Sequence, residues 1–274
     1  MTDESIKLLL DKDAFPDLQD DHGKTALYYA AETKSRERVQ LLLEKGSDQS
    51  IQDRDGKTAL HYSAVNQSSA CIAMLMAEGA DPCKQDTQGK TPLHYLSQLP
   101  NSESVKFLQD AEAVSSIKDV HGKTALHCAA EHEQVKNVTL LLNQGTDPNV
   151  RDQQGMSPLH YAVTGRNCVT AKLLLEHASD LNLKSFCDKT ALHYAAQRGS
   201  TVNIKLILNR GANPNQRDGQ GRTVLHCAAL ATEDRCTDYV ETLLLSGADP
   251  SEQDREGKTA LHNAAHRENC KSVK

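Results

Sequence analysis

The sequence predicts an all-α solenoid, in which short helix-turn-helix units are stacked along the chain and each unit projects a hairpin-like turn. Three observations predict it. One phrase recurs at a nearly fixed interval through the 274 residues, each copy holds two short apolar segments, and aromatic residues make up only 4% with no Trp. A thin stack of short helices is filled by Leu and Ala, whereas a large globular core usually needs rings. Because two short helices cannot bury an apolar face alone, the copies must stack on one another.

The repeated phrase is Gly-Lys-Thr-Ala-Leu with close variants. Its hydroxyl residue falls at Thr25, Thr58, Thr91, Thr124, Ser157, Thr190, Thr223 and Thr259, so the first six steps are 33 residues and the last is 36. An Asp stands three residues before the Gly except in the sixth unit, which has Ser185 and Asp188 in place of Asp and Gly. We predict a single domain over 1–274, with a partial unit at 1–19, seven full units at 20–52, 53–85, 86–118, 119–151, 152–184, 185–217 and 218–253, and a truncated unit at 254–274.

Each unit carries the signals of two helices. Thr-Ala-Leu-His or Thr-Pro-Leu-His opens the first, as at 91–94. The hydroxyl can accept a hydrogen bond from an unpaired N–H of the first turn, and Pro is tolerated at the first helical position. The second helix contains a leucine run, as at 41–43, and ends at a Gly such as Gly46, which suits a left-handed C-cap.

The whole unit resembles the ankyrin repeat. The shared pattern is Asp-x-x-Gly-x-Thr-Pro-Leu-His-x-Ala-Ala, followed by Leu-Leu-Leu-x-x-Gly-Ala-Asp-Pro-Asn, and it extends over essentially the whole chain. The resemblance implies an ankyrin-repeat solenoid without intrinsic enzyme activity, which binds a partner protein through its turn tips and the concave face of its first helices. In agreement, the sequence lacks a Walker loop, a Gly-x-Gly-x-x-Gly after a strand and a Gly-x-Ser-x-Gly. We predict no catalytic, cofactor-binding or metal-binding residues.

Charge and composition argue against several other classes of protein. The net charge is −6, yet residues 119–222 hold twelve Lys or Arg against nine Asp or Glu, without the dense basic run that a nucleic-acid binder would show. No apolar stretch approaches the length of a membrane span. The eight cysteines form no Cys-x-x-Cys pair, which argues against a zinc site or a disulfide framework and favours reduced thiols. We expect an intracellular monomer of the cytoplasm, with the nucleus as the alternative.

A row of histidines stands three residues after the capping hydroxyl. They are His61, His94, His127, His160, His193, His226 and His262, with Tyr28 in that place in the first unit. Stacked helices lie about 8–10 Å apart, too far for two imidazoles to share a zinc at about 2.0–2.1 Å per bond. We therefore predict a structural role, in which each imidazole bonds back to the local backbone. The next position holds Tyr or Cys, and we expect Cys128 and Cys227 to be semi-buried, in contrast to Cys187 at an exposed turn tip.

A basic row is the candidate binding surface. Family geometry places the residue before each Asp, and the residue after each Gly, on the concave side. In the middle of the chain these are Lys118, Lys123, Arg151, Lys184, Lys189, Arg217 and Arg222, with Arg198 at the end of a first helix. Phe186 lies at a neighbouring turn tip, either as an exposed interface anchor or buried by a turn that folds back. We hypothesise that the row receives an acidic protein segment.

Several alternatives stay open. The leading interpretation is an interaction scaffold or adaptor for an unidentified protein. The others are a targeting module or fragment of a larger multidomain protein, and an inhibitor of a transcription factor, like the ankyrin inhibitors of NF-kappaB-type factors. Irregular residues at 112–116 predict a weakened third unit, three extra residues near 232–236 predict a longer loop, and the incomplete last unit predicts fast amide exchange beyond Asp254.

Overall fold

The computed structural model describes residues 2–100, 102–109, 115–165, 168–231 and 236–266. This part of the chain contains sixteen α-helices and a single isolated antiparallel bridge, between Arg217 and Thr223. The helices are α1 (Thr2–Leu10), α2 (Ala26–Glu32), α3 (Arg36–Glu44), α4 (Ala59–Val65), α5 (Ser69–Ala77), α6 (Pro92–Ser97), α7 (Ser102–Gln109), α8 (Ala125–Glu131), α9 (Val135–Asn143), α10 (Pro158–Ala162), α11 (Val169–Glu176), α12 (Ala191–Gln197), α13 (Thr201–Asn209), α14 (Val224–Leu230), α15 (Cys236–Leu245) and α16 (Ala260–Ala265). The predicted all-α class of short paired helices is confirmed.

The chain divides into two compact units. The first comprises Met1–Ala129 with Thr139–Thr146, and the second comprises Ala130–Val138 with Asp147–Lys274. In the first unit, contacts link α2 to α4 and α4 to α6, and a second row links α3 to α5 and α5 to α7. In the second unit, one row consists of α10, α12, α14 and α16, and the other includes α13 and α15. The core of each unit lies between its two rows, where the Leu of every first helix up to α14 is buried.

The repeated Asp organises the hairpin-like turn. Asp53 donates its backbone N–H to the carbonyl oxygen of Lys57 at 2.9 Å, and its Oδ1 accepts from the N–H groups of Asp55 and Lys57 at 3.0 and 2.8 Å. Neighbouring tips are joined by a further backbone bond, from Thr87 N–H to the carbonyl oxygen of Asp55 at 2.8 Å. The carboxylate therefore closes the turn of the second repeat, and the backbone ties this turn to the next.

Close stacking of these turns requires glycine. Gly56 has φ +75°, and a Cβ there would lie 2.9 Å from the backbone nitrogen of Thr87 in the next turn. The sixth repeat has Asp188 at the same position with φ +54°, a region that non-glycine residues rarely adopt. The facing tip carries Gly219, where a Cβ would lie 3.1 Å from the carbonyl oxygen of Cys187 and 3.5 Å from Asp188 Oδ2. The absence of a side chain at Gly219 thus leaves room for Asp188, which replaces the usual Gly in the facing turn.

The buried histidines hold successive repeats together. His61 Nδ1 accepts the backbone N–H of Thr58 at 3.0 Å, which confirms the predicted local bond. Nε2 must then carry the proton, and it donates to the carbonyl oxygen of Lys90 in the next repeat at 3.1 Å. The same inter-repeat bond is made by His94, His160, His193 and His226. In the first repeat the Tyr28 hydroxyl serves instead, donating to Lys57 at 2.6 Å.

Some sequence predictions fall outside the described residues. These include residues 112–114 of the irregular third repeat and residues 232–235 of the longer loop between α14 and α15. At α16 the side chain of Leu261 is 75% exposed, and the amide-exchange behaviour beyond Asp254 stays a prediction. Among the described helices, none combines the length and the apolar character needed to cross a membrane.

Candidate protein-binding surface

The residue before each repeated Asp links neighbouring hairpins. The Gln52 amide donates to the carbonyl oxygen of the Gly in its own turn and to that of Gln85 in the next repeat, 3.1 Å away. Arg151 makes the same pair of bonds, from Nε to its own turn at 3.0 Å and from Nη2 to Lys184 at 2.7 Å. An amide and a guanidinium are therefore interchangeable as hairpin ties, a role that the sequence did not reveal.

Lys184 and Arg217 continue these ties along the second unit. Lys184 Nζ donates to the carbonyl oxygen of Arg217 at 3.3 Å, and Arg217 donates to Gln253 at 2.8 Å. Arg217 also pairs with the carboxylate of Glu252. A carbonyl oxygen is a neutral acceptor, so the bond from Lys184 leaves its charge at the surface, whereas Arg217 shares its charge with an acid.

Arg222 pairs with the buried carboxylate of Asp218. Its Nε and Nη2 donate to Asp218 Oδ2 at 3.0 and 2.9 Å, and the two side chains are 21% and 1% exposed. Burial opposes ionisation of Asp218, but the bonds from Arg222 and two backbone N–H groups hold its pKa below the usual range. Other repeats place a Tyr where this one has Cys227, which leaves the carboxylate to Arg222. The structure thus places this predicted site residue in an intramolecular pair.

Lys189 and Arg198 also belong to the second unit. Lys189 Nζ is 3.1 Å from Gln197 Oε1 and 5.7 Å from the ring centre of Tyr194. Arg198 is exposed at the end of α12. The remaining two predicted residues, Lys118 and Lys123, belong to the first unit, where the former is exposed and the latter half-buried.

Phe186 is exposed at its turn tip, so the alternative in which the turn folds back over it is wrong. Its side chain is 72% exposed, and the Arg151 guanidinium lies 5.7 Å from the ring centre. The Phe186 N–H donates to the carbonyl oxygen of Gln154 at 2.8 Å. A large aromatic side chain held by a cation and an ordered backbone can contact a partner with little further loss of freedom.

A groove of about 680 Å³ lies along the first helices of the second unit. Its lining residues are Glu131, Gln154, Met156, Tyr161, Thr164, Tyr194, Gln197, Arg198 and Leu230. Of these residues, only Arg198 belongs to the predicted basic row. The missed signal is helical spacing, since Tyr194 and Gln197 are three residues apart on α12 and therefore share a helix face.

The thiols of the chain differ in their exposure. Cys128 and Cys227 are buried, and burial raises the pKa of each to about 11, so both behave as small apolar side chains. Cys187 is exposed, as predicted. Within the described residues, no group of three or more His, Cys, Asp or Glu side chains is arranged to hold a metal ion.

Comparisons with known proteins agree with this architecture. The family described as "Ankyrin repeats (3 copies)" matches residues 2–86, 70–152 and 170–254, and a second family, "Ankyrin repeats (many copies)", matches 141–195. No curated protein sequence matches the chain significantly. Among solved structures, the ankyrin repeat domain of Bcl-3, described as a unique member of the IkappaB protein family, is similar with a TM-score of 0.68 and 26% identity. The match covers 81% of this chain and 100% of that chain.

The stacked helix pairs, the histidine bonds between repeats and the family matches define a protein-interaction fold of the ankyrin type. This chain belongs to the ankyrin-repeat family. It is a protein-interaction module, and the fold itself is a non-catalytic one.

Proposed function

We propose that the second unit carries the partner-binding surface, and that this surface receives an acidic segment of a partner protein. The observation that carries the proposal is Phe186, exposed at 72% and held by the Arg151 guanidinium beside the basic side chains of the same unit. Exposed aromatic residues with a neighbouring Arg are typical anchors of protein interfaces. The chain acts in this proposal as an intracellular, monomeric adaptor.

Charge supports an acidic partner. Lys184 bonds to a neutral carbonyl oxygen and Lys189 bonds to an amide oxygen, so these contacts do not cancel their positive charges. Arg198, which lines the groove, adds a third charge. Complementary charge mainly raises the association rate and loses its effect as salt is added.

The test is a double charge reversal, Lys189→Glu with Arg198→Glu. Arg222 is unsuitable for reversal, because replacing it would leave the buried Asp218 carboxylate beside a second acid. We expect the reversal to lower capture of partner proteins from a native lysate by about tenfold, with a melting temperature within a few degrees of wild type. Phe186→Ala should also reduce capture.

The matched control is Lys7→Glu with Lys12→Glu, which makes the same change in net charge on exposed residues of the first unit. It should leave capture unchanged. Equal capture by the wild type, the groove reversal and Phe186→Ala would show that the partner uses another face.

A second candidate is a regulator of a transcription factor. The similarity to the ankyrin repeat domain of an IkappaB-family protein favours it, over 81% of this chain. The same capture experiment separates the candidates, because recovery of a DNA-binding protein that depends on Phe186 would favour the regulator.

A further inference from the structure

The fifth repeat departs from the others at one position of the groove. The residue directly after the Gly of the turn is basic in seven of eight repeats, namely Lys24, Lys57, Lys90, Lys123, Lys189, Arg222 and Lys258. In the fifth repeat it is Met156. Met156 also lines the second-unit groove, so the departure lies within the candidate surface.

The first unit shows what the lysine at this position does. Lys24 Nζ lies 4.6 Å from the ring centre of Tyr62 in the next repeat, and Lys57 Nζ lies 5.6 Å from that of Tyr95. An ammonium over an aromatic face is attracted to it, and it covers that face against other ligands. The lysines of the first unit therefore make this strip of the surface cationic.

Met156 changes the strip from cationic to apolar. Its side chain carries no charge and is 7% exposed, so the fifth repeat supplies no ammonium to Tyr194 of the sixth. Met156, Tyr161 and Tyr194 line the groove together with Leu230, which is 41% exposed. Thioether and aromatic surfaces are adaptable and accept flexible apolar side chains well. We call Met156, Tyr161 and Tyr194, which come from the neighbouring fifth and sixth repeats, the Met156 slot.

Charged groups next to the Met156 slot are placed unevenly. Arg198 and Lys189 belong to the sixth repeat, and Lys189 contacts the Tyr194 ring of the slot itself at 5.7 Å. Glu131, the acidic residue of the groove lining, comes from the fourth repeat. Two cations of the sixth repeat therefore lie beside the Met156 slot.

We infer that the acidic segment of the proposed function inserts an unbranched or γ-branched apolar side chain, such as Met or Leu, into the Met156 slot, with a carboxylate beside Arg198 and Lys189. This inference rests on the proposed function. Adjacent repeats are about 10 Å apart and an extended chain advances about 3.3 Å per residue. The apolar residue and the carboxylate are therefore within about three residues of each other.

The first test is selection of 16-residue random peptides, displayed on phage, against the intact chain and two variants in parallel. The wild type should enrich Leu or Met within about three residues of Asp or Glu. Met156→Lys, which installs the residue of the other repeats, should keep the acidic preference and lose the apolar one. Lys189→Glu with Arg198→Glu should lose the acidic preference.

The second test is the affinity of a selected peptide, measured by fluorescence anisotropy. Met156→Lys should weaken binding about tenfold or more, although it adds a positive charge. Met156→Leu keeps the apolar surface and should bind within about twofold of wild type. The melting temperatures of both variants show whether each remains folded.

Several outcomes would overturn the inference. They are an acidic preference without an apolar residue, tighter binding by Met156→Lys, and no enrichment above the uncoated support. Tighter binding by Met156→Lys would leave the proposed function intact, since a purely electrostatic site gains from an added charge. An apolar preference that ignores the Lys189 and Arg198 reversal would instead contradict the proposed function.

Discussion

At the scale of single residues, the turn carboxylates of the second and seventh repeats take their side-chain partners from different positions. In the second repeat the Tyr62 hydroxyl donates to Asp53 at 2.7 Å. In the seventh, Cys227 is only a weak donor, and Arg222 donates twice to Asp218 instead. The basic residue after the turn Gly is therefore structural in the seventh repeat.

Arg222→Gln should destabilise the fold. It removes two charge-assisted bonds from a carboxylate that is 1% exposed, which costs about 1–3 kcal/mol of unfolding free energy. Lys258→Gln is the control at the same position of the next repeat, where the ammonium pairs with the exposed Glu256, and it should leave the unfolding free energy close to that of wild type. Urea unfolding measures both, and equal costs would contradict the structural role of Arg222.

At the scale of the element, the sixth hairpin has lost the carboxylate that closes the others. Ser185 accepts the Tyr194 hydroxyl at 3.2 Å, where Asp53 accepts both a Tyr hydroxyl and two backbone N–H groups. Asp188 in the same turn has φ +54°. This hairpin carries Phe186 at its tip, so the least reinforced turn presents the exposed aromatic side chain.

Ser185→Asp should raise the unfolding free energy by about 1 kcal/mol, because a carboxylate there can accept the N–H groups of residues 187 and 189. The reciprocal change, Asp53→Ser, removes the same bonds from a regular hairpin and should lower it by a similar amount. Denaturant midpoints measure both. A loss of stability in Ser185→Asp would mean that the sixth turn cannot hold the regular geometry.

At the scale of the whole chain, neutral histidines link repeat to repeat. Burial lowers the pKa of His61, His94, His160 and His193, in the last case to about 4. A protonated ring would place a second N–H at Nδ1, opposite the N–H that this atom now accepts. Folding therefore requires the uncharged form, and the same requirement recurs along the array.

Acid should unfold the chain through these rings. The unfolded rings titrate near pH 6.5, so stability is complete above that pH and falls as the pH drops towards about 4. Each ring contributes up to about 1.4 kcal/mol per pH unit in this window. Urea midpoints at pH 7.5, 6 and 5 measure the slope, which His61→Tyr should reduce, since Tyr28 already fills this position in the first repeat. A constant urea midpoint from pH 7.5 to 5 would contradict the prediction that acid unfolds the chain through the buried histidines.

The sequence by itself determined the repeat, its helices and the local role of the histidines. Those features depend on contacts within a few residues, such as Thr58 with His61, or on a period that is visible in eight copies of the repeated phrase. The exposure of Cys187 followed for the same reason, because a turn tip has few neighbours in any stack.

Only the tertiary structure decided which basic residues are available and where the groove lies. Arg151, Lys184 and Arg217 bond to residues 33 or 36 positions away, and the groove combines side chains from residues 131 to 230. Arg222 depends instead on whether residue 227 reaches the Asp218 carboxylate. The partners of these basic residues and the lining of the groove depend on distances between neighbouring repeats. The sequence of a single repeat does not give those distances.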